Sequence, residues 1–68
     1  MKISARNQFS GKVVDIKEGI VTAEVSIQIS NGPTVVSVIT KESLSSLGLK
    51  IGSEATAVIK STSVMIMV

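Results

Sequence analysis

From Val21 to Ile29 the chain alternates without exception. Val21, Ala23, Val25, Ile27 and Ile29 fall on one side, and Thr22, Glu24, Ser26 and Gln28 on the other. Successive side chains of a β-strand point to opposite faces, so this stretch reads as a strand with one face buried and one in water. Coiled into a helix, the same residues would scatter their apolar groups around the cylinder. Asn31-Gly32 follows at once, the strongest short signal for a hairpin turn, and Pro33 has no N–H with which to continue a ladder. Thr34 to Ile39 is β-branched and apolar enough to return as the partner strand.

Elsewhere the pattern is mostly extended. Lys12 to Ile16 is expected to form a strand, which Lys17-Glu18-Gly19 turns into the Val21 strand. One short helix fits, over Lys41 to Leu47: Thr40 can cap it, Glu42 suits its positive end, Leu44 and Leu47 share a face, and Gly48 stops it. Leu49 to Gly52 bends into a strand over Glu54 to Lys60, which Ser61-Thr62-Ser63 interrupts before a last strand at Val64 to Val68. Five strands with a short helix between the third and fourth is the layout of an all-β, OB-like barrel. An SH3-like barrel is the rival arrangement.

Composition narrows what such a barrel can do. At 68 residues the chain has room for a single domain, 1–68. It holds no cysteine or histidine and one aromatic ring, Phe9. Disulfides and thiolate metal sites are therefore out, and no side chain suited to acid–base work near neutrality is present. The five carboxylates, Asp15, Glu18, Glu24, Glu42 and Glu54, fall in turns or on polar strand faces, so no enzyme is expected. The net charge is +2 with scattered cations. OB-type binding of single strands combines a basic groove with aromatic platforms, so no nucleic-acid partner is expected. Neither is a membrane: the longest apolar run, Val64 to Val68, falls far short of the ~20 residues a spanning helix needs. The first residues lack the apolar stretch of a secretory signal, and a cytoplasmic location is expected.

That same run has no polar alternation, so a strand made of it is apolar on both faces. With no disulfide and one aromatic ring, association of copies is the reinforcement left to so small a chain. The second face of the run is therefore expected to meet another subunit; a central strand of one small barrel or a partly exposed tail are the alternatives.

Two polar segments interrupt the apolar pattern with hydroxyls beside a cation: Ser4-Ala5-Arg6-Asn7-Gln8, and Lys60-Ser61-Thr62-Ser63. First and last strands of an antiparallel barrel can lie close, within one subunit or across an interface. Hydroxyls, free N–H groups and two cations without a carboxylate would suit a tetrahedral oxyanion. Spacing alone favours the plainer reading, an ordinary strand edge and an ordinary turn.

Lys2-Ile-Ser-Ala-Arg-Asn-Gln-Phe-Ser-Gly-Lys-Val-Val14, with Gly19-Ile-Val-Thr-Ala-Glu-Val25, Ile39-Thr-Lys-Glu-Ser-Leu44 and Ala57-Val-Ile-Lys-Ser-Thr-Ser-Val-Met65, resembles the molbindins, or Mop proteins, along essentially the whole chain. The resemblance implies an OB-like domain assembled as a homohexamer, a trimer of dimers, that holds molybdate or tungstate at subunit interfaces. A domain of this kind standing alone implies intracellular storage, buffering or delivery. Residue by residue, it implies that Ser4 donates its hydroxyl, that Ala5 and Arg6 present backbone, and that Arg6 and Lys60 supply positive charge. Ser61 and Thr62 complete the cage. A second kind of site near the three-fold axis is carried to the backbone of Gly19 and Ile20, which can equally be a plain hairpin turn. The competing functional reading is an OB-type oligomerisation or nucleic-acid-binding module without an oxyanion ligand.

Overall fold

The structure is a computed structural model that describes residues 2–68. Four strands and two short helical segments follow one another: β1 Asn7–Glu18, β2 Thr22–Ile29, β3 Thr34–Thr40, α1 Lys41–Leu47, β4 Glu54–Ile59 and a single 3-10 turn at Ser61–Ser63. The strands form one antiparallel sheet in the order β3-β2-β1-β4. The sheet curls so that the alternating face of β2 lies inside. Ala23, Val25, Ile27 and Ile29 are buried there with Val13, Leu44 and Ala57, while Thr22, Glu24 and Gln28 face out.

The expected all-β, OB-like architecture with its helix after the third strand is present, with three differences. The first strand starts at Asn7, five residues earlier than expected, because its N-terminal half pairs with β4, from Asn7 opposite Ile59 to Lys12 opposite Glu54. Val21 is not part of β2 but sits exposed in the turn before it. Val64 to Val68 forms no strand, so the chain by itself has four strands among the described residues rather than five.

Two devices bend β1. At Gly11 it passes so close to β2 that a Cβ would collide with the Gln28 carbonyl oxygen, with that carbonyl's carbon at 2.8 Å. Between Val13 and Asp15 the register to β2 shifts, leaving Val14 as an extra residue, and such bulges increase local twist. The turn from β2 to β3 places Asn31 at φ 57°, as Asn-Gly predicts. Helix α1 follows its local signals. Thr40 Oγ1 accepts from the Ser43 N–H at 3.0 Å, and Gly48 at φ 64° donates to the Leu44 and Ser45 carbonyls. Of the two leucines expected on its inner face only Leu44 is buried; Leu47 is exposed.

Candidate functional site

The β1–β4 ladder ends where Asn7 stands opposite Ile59. The residues before Asn7 and those after Ile59 therefore leave the sheet side by side, and both polar segments meet at this corner. Asn7 Nδ2 donates to the Ile59 carbonyl at 3.2 Å across it, joining residues 52 positions apart. Gln8 Nε2 donates to the Ala5 carbonyl at 2.7 Å and ties the N-terminal segment down. Neither amide was assigned a part from the sequence. An amide can brace any neighbouring carbonyl, and which one it reaches depends on a strand register that only the fold supplies.

Between the segments is an open cleft of about 540 Å³ lined by Ile3, Ser4, Ala5, Val58, Lys60, Ser61 and Thr62. Five of the six residues expected at the main site are thus brought together. Arg6 is not: it is exposed and outside the cleft wall. Lys60 is the cation of the wall, and no carboxylate lines it. Beyond Lys60 the backbone turns tightly, with the Ser63 N–H donating to the Lys60 carbonyl at 2.9 Å and the Val64 N–H to the Ser61 carbonyl at 3.3 Å. That turn leaves the N–H groups of Ser61 and Thr62 without a backbone acceptor among the described residues.

Gly19 and Ile20 lie at the other end of β1, in the turn to β2. The Gly19 N–H already donates to the Thr22 carbonyl at 2.8 Å, so it serves the hairpin. Ile20 is 96% exposed, and its N–H has no backbone partner among the described residues.

Chemically, the corner offers hydroxyls, backbone donors and one ammonium with no acid beside them, which suits an anion and repels a metal cation. Among the described residues no three His, Cys, Asp or Glu side chains cluster as a cation site, and no helix is long and apolar enough to cross a membrane.

The model of the TOBE domain matches residues 3–66, a span that takes in both sides of the cleft. Molybdenum-pterin-binding protein 3 of Clostridium pasteurianum is 58% identical over 67 residues, 98% of each chain. MopII from the same organism, solved in an apo form, matches with a TM-score of 0.93 at 54% identity, over 98% of this chain and 100% of that one. The cytoplasmic molybdate-binding protein ModG, solved with molybdate bound, matches with a TM-score of 0.84 at 45% identity. There the likeness covers 88% of this chain and 43% of ModG. The chain belongs to the TOBE domain family, among its small molbindin (Mop) members.

Proposed function

We propose that this chain binds molybdate as a free oxyanion at the β1–β4 corner, and that it stores or buffers the anion in the cytoplasm. Ser4 and Ala5 supply one wall, Lys60, Ser61 and Thr62 the other. Tungstate, of equal charge and nearly equal size, competes for the same place. The observation that carries this reading is the corner itself: two hydroxyl-bearing segments from opposite ends of the chain meet around one lysine, with no carboxylate in the wall. A dianion entering it must exchange a strong hydration shell for protein donors, and donors already fixed on a sheet edge do this with little rearrangement.

The cleft is much roomier than one tetrahedral oxyanion and open on one side. A second subunit closes it, in a homohexamer built as a trimer of dimers. Arg6 then completes the site from its outer position, facing the neighbouring copy. The exposed turn at Ile20 gives the three-fold axis one free N–H per subunit. Sulfate carries the same charge in a smaller tetrahedron, so cage size discriminates against it.

The test is calorimetric titration of sodium molybdate into anion-stripped protein, with sulfate in excess. Saturable binding that survives sulfate is expected. Lys60→Ala is expected to weaken it roughly tenfold or more, as loss of a charge-assisted contact does. Ser4→Ala should weaken it less, and Lys41→Ala, a cation at the start of α1, not at all. A Lys60→Ala variant that binds like its parent overturns the site, and a parent that gives no heat leaves an oligomerisation module without a ligand.

A further inference from the structure

A cage that sorts oxyanions of equal charge by size has to keep its own size. The walls of the corner cleft hang from the end of a ladder, and strand ends are where a sheet opens first. The β1–β4 ladder stops at Asn7 and Ile59, and both walls begin within two residues of that pair, at Ala5 and at Lys60. Two side-chain amides act there. Asn7 Nδ2 donates to the Ile59 carbonyl at 3.2 Å, adding a side-chain bond to the final pair. Gln8 Nε2 donates to the Ala5 carbonyl at 2.7 Å and holds the N-terminal wall from three positions away. The C=O and N–H of a trans peptide point opposite ways, so a held Ala5 carbonyl also sets the direction of the Arg6 N–H.

The placing of these bonds is selective. Among the described residues, the Asn7 bond alone joins distant parts of the chain through a side chain, 52 positions apart, whereas the others span at most six. It falls at the root of the cleft. Neither amide lines the cleft itself. Neither carries a charge: a carboxylate here would repel a dianion, and a lysine would compete with Lys60 for it. A neutral amide fixes the backbone and leaves the field of the site unchanged.

We propose that Asn7 and Gln8 are the positioning residues of the oxyanion site and set its preference for molybdate over sulfate. This rests on the oxyanion reading above and adds to it the source of the selectivity. The donors of the two walls can hold either dianion. The amides keep those walls, before any ligand arrives, at the spacing that the larger one fits, so the ordering is not charged to binding. Walls free to close would let sulfate reach donors on both sides, and the preference would fall.

The test is to titrate anion-stripped full-length protein with sodium molybdate at a series of fixed sodium sulfate concentrations, which yields both affinities. Asn7→Ala and Gln8→Ala should each lower the molybdate-to-sulfate affinity ratio roughly tenfold or more, while molybdate affinity itself falls only about threefold. Asn7→Asp and Gln8→Glu keep the size of the side chain and lose the donor. Their added charge weakens two equal dianions alike, so the ratio reads the lost clamp and should fall as far. Gln28→Ala is the matched control: its Nε2 donates to the Gly32 carbonyl at 2.6 Å, and it stands opposite Lys12, about 16 Å along β1 from Asn7. That variant should melt lower and keep the ratio. Asn7 and Gln8 variants that melt lower with the ratio unmoved make both amides purely structural and overturn the proposal. A ratio that falls equally in Gln28→Ala overturns it too. Should Asn7→Ala not fold, Gln8→Ala decides alone, because its bond is exposed and local. A parent that gives no heat with molybdate overturns the oxyanion reading and this assignment with it; a selective parent with unmoved variants overturns the assignment only.

Discussion

The β2–β3 hairpin and the C-terminal segment draw on the same aliphatic residues and end in opposite environments. In the hairpin, Ala23, Val25 and Ile27 are 2%, 1% and 6% exposed, while in the tail no residue from Val64 onward is less than half exposed. The difference lies in arrangement, since both stretches are hydrophobic. Alternation tells a strand which face goes inward, and one small core can cover one face. An uninterrupted apolar run has two faces to cover, and a single curled sheet of 68 residues cannot cover both. The hairpin thus covers its inner face within the subunit, while the tail stays uncovered in the single chain.

The sharpest way to break that comparison is at Gly11, where the self-contained part of the molecule has no slack. A methyl group there meets the carbonyl group of Gln28 and, at 3.0 Å, the Cα of Ile29, all backbone, so it can be accommodated only by parting β1 from β2. Gly11→Ala should abolish cooperative unfolding followed by far-UV circular dichroism. A variant melting within a few degrees of the parent would mean that β1 and β2 are not closely fitted here.

Smaller and more discriminating is a pair of substitutions, one in each region. Ile27→Ala removes methylene groups from the inner face and should cost about 3 kcal/mol at every protein concentration, as core truncations do. Ile66→Asp should leave strand content intact, yet lower the melting temperature by an amount that grows on dilution, because what it weakens is association. Equal concentration dependence for the two variants would erase the distinction between the regions.

Which parts of this were legible in the sequence follows the same division. The helix and the β2–β3 turn depend on residues within a few positions of one another, so Thr40, Gly48 and Asn31 stand where their chemistry predicts. The N-terminal half of β1 was missed because Asn7 to Gly11 shows no clean alternation, and its partner β4 lies more than forty residues on. The expected fifth strand at Val64–Val68 is absent from the single chain, where the run, apolar on both faces, lies exposed. At the candidate site, Ser4, Ala5, Lys60, Ser61 and Thr62 were legible as two segments that antiparallel topology could unite. The outward position of Arg6 and the bracing by Asn7 and Gln8 were not, since both follow from how the ladder ends.

The smallest expected effect tests how local the self-contained region is. Thr40 ends β3 and caps α1 together: its Oγ1 accepts from the Ser43 N–H at 3.0 Å, while the Lys41 N–H donates to the Val21 carbonyl at 2.9 Å and holds the helix start against the turn before β2. Thr40→Ala removes the first of these bonds, together with the one that Thr40 Oγ1 donates to Ser43 Oγ at 2.9 Å, and leaves the second; loss of such a cap costs about 1 kcal/mol. Thr40→Ser keeps an acceptor and should retain most of the stability. Denaturant midpoints should therefore fall in the order parent, Ser, Ala, with molybdate affinity unchanged in all three because the cap is remote from the Lys60 corner. If Ala and Ser lose equally, it is the β-branched methyl of Thr40 on strand β3, rather than the capping hydroxyl, that holds this end of the hairpin.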